Sequence, residues 1–284
     1  MNIKSRKSKI FFASLLPIIV ILVVLYFVFG GLNKKGLTDI NPVNKNTTLI
    51  FAHRGIANYF PENSYEALQQ AKLRNFKAIE IDLNQTSDSV IILFHDNDCE
   101  RMLGIKGDIT TFTLTELNKH PYRFNDTITK NTVLTLDETF RIFGKEFIIY
   151  LDIKNRTYDF MKKVIHLVKK HHLENSTILS TADFFLITRI EFDYPEINTC
   201  LEGFNAGKEW IYYFIPSDFK PDYYASFIHN VNKAHIDWMK QKNLLNYKIV
   251  YGVDTTNYIE AKKLGLRNIL IDYDSTVNMQ EILK

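Results

Sequence analysis

The chain has 284 residues, of which 46% are apolar and 24% are charged, and its formal net charge is +3. This composition is ordinary for a globular protein with a large core. The first nine residues hold four basic side chains and no acidic one, so the rest of the chain is close to neutral. A folded part without a basic surface argues against a nucleic-acid-binding protein.

The first element in chain order is an uncharged run over residues 10–32, which is 23 positions long. Such a run can cross a hydrocarbon layer of about 30 Å, and it exceeds the apolar region of about 7–15 residues in a cleaved signal peptide. We therefore expect a transmembrane signal anchor at 10–32 behind a basic cytoplasmic N-terminus at 1–9, with secretion after signal cleavage as the alternative. Positive charge is denser before the run than after it, which predicts that the remaining chain lies outside the cytoplasm.

A polar linker is predicted at 33–47, and a single domain at 48–284. Within that domain β-rich runs alternate with helical patterns, which is typical of βα units and a parallel sheet. Strands are predicted at Leu49–His53, Ala78–Leu83, Val90–Phe94, Phe147–Ile153, Thr177–Ser180, Asn198–Leu201, Tyr223–Phe227, Lys248–Val253 and Asn268–Asp272. Helices are predicted at Glu62–Arg74, Leu136–Phe143, Tyr158–His171, Asn232–Lys242 and Asn257–Leu264.

Nine strands are one more than an eight-stranded barrel accepts. Only a short turn separates Val90–Phe94 from the strand before it, whereas a parallel crossover needs about a dozen residues. We therefore expect this segment to form a hairpin arm that returns His95 to the barrel mouth. Residues 97–133 show little periodicity and are expected to form an insertion over the same end. The predicted fold class is α/β, a TIM-type (β/α)8 barrel behind one transmembrane helix.

Polar side chains cluster where the predicted strands end, which is where barrel enzymes carry their active sites. Glu80 and Asp82 share one face of their strand, as do Asp152 and Lys154 on another. Three carboxylates that converge in a barrel need a positive charge between them, and oxygen ligands without thiolates suit Mg²⁺ or Ca²⁺. The sequence therefore predicts one divalent cation at Glu80, Asp82 and Asp152.

Two histidines and two cations end the same set of strands. His53 and His95 each stand beside a charged residue at a strand end, unlike the other six histidines, and imidazole suits acid–base catalysis near neutral pH. Arg54 and Lys154 supply positive charge for an anionic substrate. Together these residue types predict attack on a phosphodiester.

Short motifs of these residues follow one another along the chain: Ala52-His53-Arg54-Gly55, Pro61-Glu62-Asn63-Ser64, Glu80-x-Asp82, His95-Asp96 with Arg101, Leu134–Glu138 and Tyr150–Lys154. The ordered set resembles the signature of the glycerophosphodiester phosphodiesterase family, whose fold is a phosphodiesterase TIM barrel. The resemblance spans about residues 49 to 274. It implies hydrolysis of a glycerophosphodiester to glycerol 3-phosphate and an alcohol.

By the same resemblance, His53 and His95 are the acid–base pair, and Arg54 and Lys154 contact the phosphate. Glu80, Asp82 and Asp152 correspond to the metal ligands. Glu62 and Asn63 match a motif at the rim, where we expect supporting hydrogen bonds, although Asn63 could instead cap the following helix.

Besides the minor replacement of the usual Thr by Ser64, the sequence departs from the family pattern at three places. Asp152 stands where the family usually has the longer glutamate, which slightly favours the more hydrated Mg²⁺ over Ca²⁺. Tyr251–Asp254 and Ile271–Asp274 also differ from the usual segments, and both line the substrate end of the barrel. These differences leave the leaving alcohol open.

Two other functions stay open at this point. The expected anchor would favour a membrane-proximal phospholipase that acts on lysophospholipids or phosphoinositides. An inactive anchored barrel that only binds a ligand is the other alternative, but no histidine or carboxylate of the motif set is missing.

Overall fold

The computed structural model describes residues 3–31, 48–254 and 256–274, with the side chains of the first range described from residue 15 onward. The predicted linker at 33–47 lies outside the described residues. Helix α1 spans Ile3–Val28. Over the part of the chain that the structure describes, no helix combines the length and apolarity that crossing a membrane requires. This finding does not support the transmembrane segment at 10–32, part of which lies outside the described residues, and the segment stays a prediction.

Eight parallel strands close into a barrel, because β1 pairs with both the last strand and the second. The predicted barrel is therefore confirmed. Its strands are β1 Leu49–His53, β2 Ala78–Gln85, β6 Ile148–Ile153, β7 Thr177–Thr181, β8 Thr199–Glu202, β9 Tyr223–Phe227, β10 Lys248–Val253 and β11 Asn268–Ile271. The ninth predicted strand is β3, Ile91–Leu93, which pairs antiparallel with β2 as a hairpin arm, as expected.

Alternate side chains of the barrel strands form two separate apolar clusters, as strand periodicity requires. One set fills the barrel interior, and includes Phe51, Tyr150 and Tyr223. The other set, which includes Ile79 and Leu151, packs outward against the helices. The interior side chains fill the barrel below the C-terminal ends of its strands. A substrate can therefore enter only at the mouth, which is the end of the barrel where the strands end.

The five predicted helices are present, with ends that differ by up to three residues: α2 Tyr65–Leu73, α5 Leu136–Phe143, α6 Tyr158–Lys170, α9 Lys233–Gln241 and α10 Tyr258–Lys263. Outside the predicted insertion, two helices of the described residues were not predicted, α7 Phe184–Asp193 and α8 Trp210–Phe214. α7 is rich in aromatic and β-branched residues, which favour strands, and α8 has only five residues. Their formation depends on packing against the barrel more than on local preference.

The predicted insertion carries its own small apolar core, built around buried residues that include Phe94, Leu103 and Tyr122. Its elements are short, which is why the sequence shows little periodicity there: α3 Glu100–Leu103, α4 Leu114–Leu117, β4 Arg123–Phe124 and β5 Thr127–Ile128. Helix α3 contributes Arg101 to the mouth of the barrel, where it pairs with Glu62 and Asp96.

Candidate active site

His53 is the last residue of β1 and lies opposite Glu80 in the register of β1 and β2. Its Nδ1 atom is 2.6 Å from Oδ1 of Asp272, which follows β11, and its Nε2 atom is 3.7 Å from Oε2 of Glu80. Burial alone would lower the pKa of the imidazole, but Glu80 and Asp272 outweigh it and raise the pKa of His53 to about 9. The ring is therefore held between two carboxylates, and Asp272 fixes its orientation.

The three predicted carboxylates converge beside this histidine. Glu80 and Asp82 face the same side of β2, and Asp82 lies opposite Asp152 in the register of β2 and β6. One oxygen of each lies within 4.8 Å of the others. Burial, together with the charge of Asp82, raises the pKa values of Glu80 and Asp152 above their usual range. Such a cluster is repulsive when it is fully ionised, so it favours a bound cation.

Two cations are already held against these carboxylates. Nε of Arg54 lies 3.0 Å from Oδ2 of Asp82, and Nζ of Lys154 lies 2.9 Å from Oδ1 of the same carboxylate. Lys154 also reaches Oδ2 of Asp152 at 2.5 Å. Burial opposes ionisation of Asp82, but the two cations outweigh it and lower the pKa of Asp82. The site therefore keeps at least one carboxylate ionised and two positive charges available to an anion.

The structure decides between the two interpretations of Asn63. Ser64 is the N-cap of α2, and its side chain accepts a hydrogen bond from the backbone N–H of Ala67. Asn63 instead donates from Nδ2 to Oδ2 of Asp82 at 2.8 Å, and its Oδ1 accepts from the backbone N–H of Asp82 at 3.1 Å. Both Arg54 and Asn63 have left-handed backbone conformations, with φ of 54° and 57°. Non-glycine residues in this region are uncommon, and strain of this kind concentrates at functional sites.

Glu62 connects Arg54, which lies beside the carboxylate cluster, with Arg101 of the insertion. Its carboxylate accepts from Nη1 of Arg54 at 3.0 Å and from two nitrogens of Arg101 at 2.7 and 3.0 Å. Arg101 also donates from Nε to Oδ2 of Asp96 at 2.6 Å, and Oδ1 of Asp96 is 2.7 Å from Nδ1 of His95. This chain of contacts orients His95 through Asp96. Glu62, His95 and Asp96 lie close enough to surround an ion, but Arg101 already pairs with both carboxylates and Arg54 pairs with Glu62.

The cluster of Glu80, Asp82 and Asp152 fits a hard divalent cation. All three donors are carboxylate oxygens, as Mg²⁺ and Ca²⁺ prefer. Oδ1 of Asp82 is buried and lies 2.9 Å from Nζ of Lys154, so positive charge is already drawn to this oxygen. Three carboxylates with a single shared lysine and Arg54 leave room for a further positive ligand.

The structure brings all nine predicted site residues to one mouth, and it adds two that the sequence analysis missed. Asp272 contacts His53, and Glu202 at the end of β8 accepts hydrogen bonds inside the barrel. Asp272 and Glu202 could have been found by the feature that identified the predicted carboxylates, which is an acidic residue at the end of a barrel strand. A cavity of about 780 Å³ adjoins the mouth, and its lining includes His95, Lys154 and Arg156.

Comparison with solved structures agrees with this architecture. A phosphodiesterase from Oleispira antarctica, solved with the product sn-glycerol-3-phosphate, superposes with a TM-score of 0.73 at 17% identity over 83% of this chain and 97% of that one. A glycerophosphodiester phosphodiesterase from Thermotoga maritima gives a TM-score of 0.67 at 18% identity over 84% of this chain and 98% of that one. At these identities the likeness concerns the fold.

Sequence comparison adds the family. A glycerophosphodiester phosphodiesterase from Caldanaerobacter subterraneus subsp. tengcongensis is 27% identical over 156 residues, which is 53% of this chain and 64% of the relative. A lysophospholipase D from Homo sapiens is 26% identical over 146 residues, 49% of this chain and 46% of that protein. The chain thus spans less than two thirds of the length of these curated relatives. The family described as the glycerophosphoryl diester phosphodiesterase family matches residues 53–272, most of the chain, and the chain belongs to that family.

Proposed function

We propose that this chain hydrolyses a glycerophosphodiester to glycerol 3-phosphate and an alcohol, with one divalent cation bound by Glu80, Asp82 and Asp152. The observation that carries the proposal is the placement of two imidazoles around this carboxylate cluster. His53 lies 3.7 Å from Glu80, and His95 lines the same cavity as Lys154, which contacts the other two carboxylates. A phosphodiester seated there would meet an acid, a base and positive charge together.

The two histidines would divide the proton transfers. The substrate's own hydroxyl lies beside phosphorus, so its attack needs little additional ordering. One histidine accepts the proton of that hydroxyl as the new P–O bond forms. The other donates a proton to the leaving alcohol as its P–O bond breaks. Water then opens the cyclic phosphate to give glycerol 3-phosphate, with the proton roles reversed.

The remaining residues would hold the phosphate and its surroundings. Arg54 and Lys154 can place their charges on phosphoryl oxygens, because both already face the interior of the mouth. A bound Mg²⁺ or Ca²⁺ supplies further positive charge to those oxygens. Glu62 and Asn63 keep Arg54 and Asp82 in place by the hydrogen bonds described above.

Product identification by ³¹P NMR tests the reaction. The purified full chain is given a glycerophosphodiester and Mg²⁺ or Ca²⁺, and the phosphorus signal should convert to that of glycerol 3-phosphate. The His95→Ala variant is the control for contaminating activity and should leave the diester intact. A product that retains the phosphate on the other alcohol would contradict the proposed bond cleavage.

A second candidate activity is release of the head-group alcohol from a lysophospholipid. Two mammalian relatives, from Homo sapiens and Mus musculus, are named as lysophospholipase D and are 26% and 24% identical. Turnover of a lysophospholipid in micelles, at a rate comparable with the water-soluble diester, would favour this candidate.

We also propose that residues 10–32 anchor the chain in a membrane with the barrel on the extracytoplasmic side. The support is the uncharged run of 23 residues and the basic residues before it. A reporter fused after Lys284 should be active outside the cytoplasm and sediment with membranes. A mature chain that begins near Gly31 and stays in the supernatant would show a cleaved signal instead.

A further inference from the structure

Helix α1 projects from the barrel with its apolar side chains exposed. Over residues 15–25 every side chain is exposed, and the large apolar ones among them include Leu22 and Val24. A helix that is apolar on all sides normally lies in the core of a large protein or spans a membrane. Because the barrel does not cover these side chains, a lipid bilayer is the surrounding that would cover them, as the proposed anchor requires.

The last turn of α1 and the residues after it contact the barrel. The hydroxyl of Tyr26 donates to the backbone carbonyl of Tyr213 at 2.7 Å. Gly30 has a φ of 85°, and an added Cβ there would lie 2.6 Å from the Cβ atom of Ser217, so only glycine fits. The end of α1 is therefore held by specific contacts, which fix the side of the barrel from which the helix leaves.

These contacts lie at the base of the barrel, which is the end where the strands begin. The ring of Phe29 packs edge-to-face on the rings of Phe192 and Phe219, with centroid distances of 5.5 and 5.2 Å. Phe192 lies in the last turn of α7, which starts after the end of β7 and runs back towards the base. Phe219 precedes the first residue of β9. Helix α1 is therefore attached at the end of the barrel opposite to the carboxylate cluster.

Exposed aromatic side chains lie beside this attachment point. Helix α8 presents Trp210, Tyr213 and Phe214, which are 59%, 40% and 73% exposed, and Tyr213 is the residue that Tyr26 contacts. The rings of Trp210 and Phe214 pack against each other with 5.8 Å between their centroids. Tryptophan and tyrosine are enriched where a protein meets the boundary between water and lipid. An aromatic surface that continues from an apolar helix is therefore suited to the same bilayer.

We propose that the base of the barrel lies against the bilayer that holds α1, with α8 at the lipid headgroups, and that the mouth opens away from this membrane. Along α7 the seven residues from Phe192 back to Phe185 advance about 10 Å towards the mouth. The substrate therefore comes from the water as a soluble glycerophosphodiester, because a lipid that stays in the same bilayer does not reach the carboxylate cluster. This inference rests on the proposed hydrolysis and on the proposed anchor.

Tryptophan fluorescence at the two ends of the barrel tests this orientation. The two tryptophans of the chain are first removed by Trp210→Phe and Trp238→Phe. A single reporter is then placed at the base by Phe214→Trp or near the mouth by Phe185→Trp, since both rings are exposed. Each full chain is reconstituted into phosphatidylcholine vesicles with or without bromine on the acyl chains, because bromine quenches nearby indole rings. The base reporter should lose emission in the brominated vesicles, and the mouth reporter should keep its emission.

The outcomes separate the orientation from the proposals on which it rests. Quenching of the mouth reporter, or of neither reporter in chains that float with the vesicles, would overturn the orientation. Chains that do not float with the vesicles would contradict the anchor and this inference with it.

Turnover in the same vesicles tests where the substrate comes from. With Mg²⁺ or Ca²⁺ present, the wild type should hydrolyse a water-soluble glycerophosphodiester at least about ten-fold faster than a lysophospholipid embedded in those vesicles, because the acyl chain holds the lipid in the bilayer. Equal rates would overturn access from the water. Turnover of neither substrate would contradict the proposed hydrolysis, whereas the quenching result would still report the orientation.

Discussion

The two halves of the barrel mouth are built differently. The half formed by β1, β2 and β6 contains three carboxylates and two cations, supported by two hydrogen bonds between Asn63 and Asp82. The half formed by β8, β9 and β10 contains one carboxylate without an ion-pair partner among the described residues and two aromatic rings. In the first half each charge depends on its neighbours, so few substitutions are tolerated. In the second half the carboxylate of Glu202 is held by hydrogen bonds from the hydroxyl groups of Tyr150 and Ser180, so a single substitution there disturbs fewer charges.

The largest effect should follow from removing an imidazole in the first half. His53→Ala and His95→Ala should each lower kcat by about 10²–10⁴-fold, the range for general acid–base groups. His171→Ala is the control, because His171 follows the C-terminal end of α6 and its ring contacts Asp137 of α5. Steady-state assays of the three variants measure the difference. Near-normal turnover by either of the first two variants would show that the roles are misassigned.

The next largest effect concerns Asp152. Asp152→Asn removes a charge from the carboxylate cluster without changing the shape of the side chain. It should weaken Mg²⁺ or Ca²⁺ binding by at least about 10–100-fold, the cost of losing even an outer partner of a metal ligand. Asp152→Glu should bind as well as the wild type. Isothermal titration with each ion measures both, and unchanged affinity in Asp152→Asn would remove Asp152 from the ligand set.

A smaller effect is expected from replacing Asp272, which contacts His53. Asp272→Asn removes a negative charge that raises the pKa of His53, so the limb of the pH–rate profile that reports this histidine should move to lower pH. This direction holds whether His53 acts as acid or as base. Because ring orientation is also weakened, kcat should fall on the order of 10-fold. A pH–rate profile with an unmoved limb would mean that Asp272 does not tune His53.

Much of the fold was visible in the sequence because parallel barrel strands are buried on both faces and are bounded by turns. The hairpin arm β3 was predicted from a connection too short for a crossover, and the structure confirms it. Helix α7 was missed because its apolar and β-branched composition gives no clear helical period. Packing against β8 and its neighbours decides its conformation, and a single sequence does not contain that information.

The candidate site likewise contains residues that the sequence predicts and residues that it does not. His53, Glu80 and Asp152 were predicted because they belong to motifs with fixed spacing. Asp272 and Glu202 are isolated acidic residues at strand ends, more than 200 and about 50 residues from the atoms they contact. Only closure of the barrel brings them to the mouth. Contacts between distant strands therefore mark the limit of what spacing along the chain can predict.

The dependence of turnover on a divalent cation tests the central claim most directly. The full chain is assayed with a glycerophosphodiester before and after treatment with excess chelator, and then with Mg²⁺ or Ca²⁺ restored. The carboxylate cluster of Glu80, Asp82 and Asp152 predicts that activity is lost on chelation and returns with the added ion. Full turnover in excess chelator would contradict the account, because the three carboxylates would then serve the reaction without the cation that their placement calls for.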